Sequence, residues 1–277
     1  MKILAWDTSS KAGAIAAVEW DERSREGADG VRLAGELGLN VDAQHSDGLL
    51  FGIDQLLQAV RWKIEEVDAF AVGMGPGSFT GLRIGMTTAR TLAHSLGRPL
   101  IGLSSLVALG RPAAQAVLAQ GERGIVIAAT DACKGELFAF VGTARALMDC
   151  VAMAQGDAPG LWKRGAEERV VTPDELVAWA KQKLGKTGRW TAVGEARRRY
   201  PEVFAQLPAS REVPHGVPFS EQVQGRTLAR MAWEAWQAGL GRDALGLQPR
   251  YLRDSDAEVK LRAGLLKRAP VEGDSEK

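Results

Sequence analysis

The stretch that organises this sequence is GMGPGSFTGLRIGMTTARTLA, residues 73–93. It follows a short apolar run, Val67–Val72, and continues as a helical pattern to about Leu96, where Gly97 is placed to end the helix. A strand, a glycine loop and then a helix capped by Ser78 is typical of a backbone that can admit an anion. The loop lacks the lysine of a P-loop, so the pattern does not by itself assign a phosphate ligand.

The helix carries a stripe of small residues. Gly81, Gly85, Ala89 and Ala93 follow one another at i, i+4 spacing and therefore share one face. Each glycine inside a helix costs about 1 kcal/mol relative to alanine, so close packing must compensate for it. The sequence leaves two candidates for what packs against this face: another part of the same domain, or a helix of another chain.

Strands and helices alternate on both sides of this stretch. In the first half, strands are predicted at residues 2–6, Ala12–Trp20, Val31–Leu37, Val67–Val72 and Leu100–Leu103, with a helix at Ser46–Val60 before the glycine loop. In the second half, strands are predicted at Ile125–Thr130, Leu137–Val141 and Trp190–Val193, with helices ending near Ala119, running from Thr172 to about Leu184, and covering about Glu221–Leu240. The order favours an α/β fold.

Each half contains a strand, an acid, a short turn with glycine and a second strand. The acid and glycine are Asp7 and Gly13 in the first half, and Asp131 and Gly135 in the second. This pattern indicates either an internal duplication or two unrelated hairpins.

Composition narrows the class of protein. The 277 residues are 45% hydrophobic and 25% charged, with a net charge of +1, as in a globular protein that does not grip nucleic acid by overall charge. The short basic clusters Arg197–Arg199 and Lys181–Lys186 leave a local contact with RNA open. Cys133 and Cys150 form no CxxC pair, and no apolar run reaches the roughly 18 residues of a membrane span. We therefore expect a cytoplasmic protein.

Catalytic residues are not evident. No two of His45, His94 and His215 have the spacing of a metal-binding pair on a helix. Neither cysteine lies in a nucleophile context, and no Gly-x-Ser-x-Gly elbow is present.

Five motifs, in order and spacing, together resemble the TsaB (YeaZ) family. They are Asp7-Thr8-Ser9, Gln44-His45-Ser46, the glycine run Gly75–Gly85, Asp131-Ala132 with Gly135-Glu136, and Pro249 with Tyr251-Leu252-Arg253. Family members commonly carry arginine in the turn after the second acid, where this chain has Cys133 and Lys134.

The resemblance implies an actin-like (ASKHA, ribonuclease H-like) two-lobed fold with duplicated βββαβα lobes. The lobes would span residues 1–104 and 105–277, with the helix near 221–240 able to pack back on the first lobe and a frayed tail from about residue 262. The implied function is that of a non-catalytic scaffold for threonylcarbamoyl transfer to adenosine 37 of tRNA. The implied partners are a TsaD-type transferase, a TsaE-type ATPase, a second copy when the chain is alone, and tRNA only within the complex; no cofactor, metal or membrane is implied.

The resemblance also implies two groups of site residues. Pairing through the first-lobe helices would use Leu49, Ile53, Leu56, Gly81, Gly85, Ala89 and Ala93. A vestigial nucleotide site would contain Asp7, Thr8, Ser9 and Asp131. The alternative function is a stand-alone enzyme of the same fold, such as a small-molecule kinase or a metal-independent peptidase-like protein.

Overall fold

The computed structural model describes residues 1–20, 30–40, 45–150, 167–186, 188–214, 216–217, 220–241 and 243–253. The predicted tail beyond about residue 262 and His215 lie outside these ranges. Within them, no helix has the length and apolar character needed to cross a bilayer.

The first lobe is built on a five-stranded sheet. Its strands are β1 (Lys2–Asp7), β2 (Ala12–Trp20), β3 (Val31–Asn40), β4 (Ala69–Gly73) and β5 (Leu100–Leu103), arranged in the order β3-β2-β1-β4-β5. Strands β1, β2 and β3 pair antiparallel, and β1, β4 and β5 pair parallel. Two helices, α1 (His45–Val60) and α2 (Phe79–Ser95), cover one face.

The second lobe repeats this arrangement. Its strands are β6 (Gly124–Asp131), β7 (Leu137–Thr143), β8 (Glu168–Val171) and β9 (Arg189–Val193), in the order β8-β7-β6-β9. The pairings β8-β7-β6 are antiparallel and β6-β9 is parallel, as for β3-β2-β1-β4. The two acids occupy matching positions, since Asp7 pairs with Ala14 and Asp131 with Leu137 at the turn ends of their hairpins. The hairpins therefore belong to a duplicated lobe, not to unrelated turns.

The remaining helices pack on and between the sheets. They are α3 (Ser105–Ala119), α4 (Ala144–Met148), α5 (Pro173–Leu184), α6 (Ala196–Arg199), α7 (Pro201–Ala205) and α8 (Gly225–Gln237). Helix α8, which matches the helix predicted near 221–240, lies on β1 and β2 of the first lobe, while α3 lies on β6 of the second. One apolar core runs from the first sheet through α8 and α3 to the second sheet. Alternate residues of β1 serve two cores, because Ile3 faces α8 and Leu4 faces α1 and α2.

Local sequence signals account for several boundaries. The Ser78 hydroxyl accepts from the Gly81 amide at the start of α2, and Thr172 forms a capping box with Glu175 at the start of α5. Strand β8 and the short helices α4, α6 and α7 were not predicted.

Candidate functional site

The first acid lies at the end of β1 and is bonded to neighbouring hydroxyls. Asp7 is fully buried. Its Oδ1 accepts from the Ser9 amide at 2.9 Å and from the Ser9 hydroxyl at 2.5 Å, and its Oδ2 accepts from the Ser105 hydroxyl at 2.5 Å. Ser105 is the first residue of α3, so the carboxylate joins the end of the first strand to the helix that enters the second lobe.

Protein atoms surround Asp7 closely and exclude water from it. Burial raises the pKa of this carboxyl above its usual range, and the hydrogen bonds from Ser105 and Ser9 oppose that rise. A Cβ atom at Gly73 would lie 1.8 Å from Asp7 Oδ2, so only glycine fits beside it. Asp7 and Ser9 are two of the predicted nucleotide-site residues. In this structure they are hydrogen-bonded to each other and hold the end of β1 in place.

Three main-chain donors of the glycine loop are bonded to neighbouring protein atoms. The Met74 amide donates to the Leu103 carbonyl at 2.8 Å, the Gly75 amide to the Ser105 hydroxyl at 3.1 Å, and the Ser78 amide to the Ser9 carbonyl at 2.7 Å. A phosphate cradle needs such amides to point at the ligand. Because these three amides already donate to protein acceptors, they do not point at a bound anion, which argues against a phosphate site in this loop.

The small-residue stripe of α2 faces its own lobe. A Cβ atom at Gly81 would meet the Thr8 carbonyl oxygen at 2.0 Å, and one at Gly85 would meet Thr8 Oγ1 at 2.2 Å. The Thr8 hydroxyl donates to the Gly81 carbonyl at 2.7 Å, and Ala89 and Ala93 are fully buried. Thr8 and the first sheet therefore occupy that face of α2 within this chain, and the use of these four residues in a contact with another chain stays a prediction.

The predicted contact residues of α1 are also inside the lobe. Leu49, Ile53 and Leu56 belong to the core between the first sheet and its helices, with 1%, 4% and 5% of their surface exposed. The adjacent Leu50 and Phe51 are 52% and 66% exposed. Successive helical residues point about 100° apart, so the outward face of α1 is offset from the predicted one.

The second acid is paired across its own lobe. Asp131 Oδ2 lies 2.6 Å from an Arg199 guanidinium nitrogen, and Oδ1 accepts from the Tyr200 hydroxyl at 3.0 Å and the Cys133 amide at 3.2 Å. Burial raises the pKa of Tyr200, and the hydrogen bond to Asp131 raises it further. Arg199 and Tyr200 lie 68 and 69 residues further along the chain, so no local motif identifies them as partners of Asp131.

The arginine cluster that suggested RNA contact is matched by acids. Arg197 pairs with Glu212, Arg198 pairs with Glu221 at 2.9 Å, and Arg199 pairs with Asp131. Each arginine is thus partly neutralised, which weakens a local basic patch as an interpretation.

Among the described residues, no group of three or more histidine, cysteine, aspartate or glutamate side chains has the geometry to hold an ion. His94 lies exposed in the last turn of α2. Neither Cys133 nor Cys150 forms a disulfide; the first is exposed and the second is buried.

The matching family model and the curated relatives both carry names from the threonylcarbamoyl modification of tRNA. The family model described as "TsaD: tRNA N6-adenosine threonylcarbamoyltransferase" matches residues 40–163. The chain is 30% identical over 242 residues to the tRNA threonylcarbamoyladenosine biosynthesis protein TsaB of Escherichia coli, covering 83% of this chain and 90% of that protein. It is 27% identical over 267 residues to TsaB of Bacillus subtilis, covering 94% and 97% of the two chains.

Solved structures give the same result. The crystallised YeaZ from Pseudomonas aeruginosa is similar, with a TM-score of 0.64 and 27% identity over 91% of this chain and 99% of that one. The likeness therefore spans both lobes.

Proposed function

The chain belongs to the TsaB family of tRNA threonylcarbamoyladenosine biosynthesis proteins, and on that premise we propose that it is a non-catalytic subunit of the machinery. Its two-lobed fold is of the actin-like, ribonuclease H-like type. In the proposed role it supports threonylcarbamoyl transfer to adenosine 37 of tRNA, in the cytoplasm, while a TsaD-type transferase carries out the chemistry.

The observation that carries the non-catalytic assignment is the state of Asp7. Both oxygens of this buried carboxylate accept hydrogen bonds from Ser9 and Ser105, and the neighbouring loop amides of Gly75 and Ser78 are bonded to protein atoms. An acid that addresses a metal or a phosphate needs free lone pairs directed at its ligand. Asp131 is similarly engaged by Arg199 and Tyr200. These contacts support a structural role for both acids.

The surface proposed to pair with the transferase is the outward face of α1 and α2. Phe51 and Leu50 expose large apolar side chains there, and Arg83, Thr87 and Thr91 are exposed on the adjacent α2. Exposed apolar groups of this kind rimmed by polar residues favour a protein contact.

The family comparison supports a TsaD-type occupant. The matched residues 40–163 include α1 and α2, so the transferase family shares this pair of helices. Two related lobes can pair through the same face in a pseudo-twofold arrangement. The same geometry would allow a second copy to bind when the transferase is absent. A TsaE-type ATPase would join the pair, and tRNA would be contacted only within the complex.

The test is reconstitution with labelled threonine, bicarbonate, ATP, tRNA, the transferase, the ATPase and the remaining enzymes. We expect threonylcarbamoyladenosine to form only when this chain is added, and we expect the chain alone to show no turnover of Mg-ATP. Modification at the full rate without the chain would overturn the proposed role. Turnover of Mg-ATP by the isolated chain would overturn its non-catalytic character.

A further inference from the structure

The segment Leu247–Arg253, here called the clasp, runs along the glycine loop of the first lobe. Leu247 is buried in the core beside α2, and a Cβ atom at Gly102 would lie 2.5 Å from its side chain. The Arg250 amide donates to the Met74 carbonyl at 2.9 Å. The Arg250 carbonyl lies 3.2 Å from the position that a Cβ atom on Gly75 would take. The clasp is therefore in main-chain contact with the loop that precedes α2.

The clasp also contacts the first turn of α2. The Tyr251 ring lies against the ring of Phe79, with centroids 4.7 Å apart. The Arg83 guanidinium lies 3.9 Å above the Phe79 ring, and its Nε donates to the Tyr251 hydroxyl at 3.4 Å. Tyr251 is thus attached to the helix start through its ring contact with Phe79 and the hydrogen bond that it accepts from Arg83.

The same segment reaches the second lobe through two arginines. The Arg250 guanidinium pairs with the buried carboxylate of Glu168 on β8. The Arg253 guanidinium donates to the Ala132 carbonyl and, at 3.5 Å, to the Cys133 carbonyl, and its Nε lies 3.6 Å from Glu136 Oε2. These last contacts fall on the turn between β6 and β7, directly after the second acid.

A short piece of chain spans these attachments. Three residues of extended backbone cover at most about 11 Å, so the contacts of Arg250 in the first lobe and of Arg253 in the second are closely tied. The apolar core through α8 and α3 already joins the lobes. A second, polar link at the ends of β1 and β6 restrains the rotation that a single connection would permit.

We propose that the clasp holds the two lobes in one relative arrangement and couples the second-lobe turn, residues 131–136, to the first turn of α2. The inference goes beyond the proposed function, because it concerns motion within this chain and requires no partner. If the clasp acts in this way, residues 247–253 hold the glycine loop and the start of α2 in place.

The test uses hydrogen–deuterium exchange of the full chain with Arg253→Ala. Arg253 touches the second-lobe turn, whereas peptides covering residues 74–82 lie in the first lobe. We expect exchange to accelerate about tenfold both in residues 131–136 and in residues 74–82, because loss of one anchor releases the clasp as a whole. Arg211→Ala is the matched control, since Arg211 donates to the Gly185 carbonyl at 3.2 Å within the second lobe and should leave both segments unchanged.

A second pair of variants alters the contact of the clasp with the first lobe, which Tyr251 makes. Tyr251→Ala should accelerate exchange in residues 131–136, which Tyr251 is not seen to touch, whereas Tyr251→Phe keeps the ring and should not. Acceleration confined to the segment next to the altered residue, or no acceleration, would overturn the coupling. Equal acceleration in β7 and α5 would also overturn it, because that pattern reports a loss of global stability, which a urea titration measures separately.

Discussion

Ser105 donates its hydroxyl to Oδ2 of Asp7 at 2.5 Å, so the first residue of α3 is bonded to the last residue of β1. The bond joins the strand that carries the first acid to the helix that leads into the second lobe. The same Ser105 hydroxyl accepts from the Gly75 amide at 3.1 Å. One hydroxyl therefore connects the acid, the glycine loop and the helix, and changes at Asp7 should alter stability more than assembly.

Asp7→Ala removes the acceptor of these bonds. We expect it to lower the free energy of unfolding by about 3 kcal/mol, because the Ser9 and Ser105 donors lose their buried partner. Asp7→Asn keeps one carbonyl oxygen and should cost less. Urea titration followed by tryptophan fluorescence measures both, with the exposed Asp174→Ala as control. If folded Asp7→Asn protein failed to support tRNA modification at wild-type stability, Asp7 would have a functional role beyond this anchor.

Gly85→Ala tests the packing of the small-residue stripe. The added Cβ would lie 2.2 Å from Thr8 Oγ1 and 3.5 Å from Thr8 Cβ, so the hydroxyl is the main obstacle. We expect a loss of about 1–3 kcal/mol from overpacking, although alanine is the better helix former. Thr8→Ala should relieve the contact, so the double variant should be more stable than the sum of the single changes predicts.

The control for Gly85→Ala is Gly38→Ala, where an added Cβ meets no atom within 4 Å. Thermal unfolding of the wild type, the two single variants, the double variant and the control gives the comparison. Wild-type stability of Gly85→Ala would contradict the close contact with Thr8.

Periodicity in the sequence was sufficient for much of the fold. The apolar spacing of Leu49, Ile53 and Leu56 predicts a helix face that seeks a core, and the structure places them in one. Assigning the same residues to a partner contact followed from the resemblance instead, and the exposed Leu50 and Phe51 were overlooked. The stripe at Gly81 and Gly85 was visible, but the atom that fills it belongs to Thr8, more than 70 residues earlier.

Strand β8 was not predictable either, because the contacts that stabilise it come from distant parts of the chain. It contains the fully buried Glu168, and a charged residue in a short run argues against a core strand. Its partners are Ser104 and Arg250, which are 64 and 82 residues away. Contacts of such long range leave no local pattern, and the same holds for the pairing of Asp131 with Arg199.

Glu168 should make stability depend on pH. Burial raises its pKa from 4.5 to about 7, against the opposing effects of Arg250 and Ser104. The folded state then binds a proton more tightly than the unfolded chain, so stability is highest below about pH 4.5 and falls as pH rises toward about 7. The shift corresponds to about 3 kcal/mol.

Glu168→Gln removes this titration. Between about pH 5 and about pH 8, the wild type should lose up to about 3 kcal/mol more than the variant does, as measured by urea titration at each pH. Glu202→Gln, on the exposed surface of α7, should follow the wild type. A parallel pH profile for Glu168→Gln and the wild type would show that this group does not titrate in the folded state as described.

Phe51→Asp tests the outward face of α1 as the surface for the transferase. Phe51 is 66% exposed, so the change should leave the free energy of unfolding within about 1 kcal/mol of the wild type. Placing a carboxylate in an apolar contact should weaken binding to the TsaD-type partner at least tenfold, because the charge loses its water without gaining a partner. Titration calorimetry gives the affinity, and Ala178→Asp adds the same charge to the exposed face of α5 in the other lobe as control. Wild-type affinity for Phe51→Asp would move the partner surface away from this face, whereas equal weakening by Ala178→Asp would show that added charge alone is responsible.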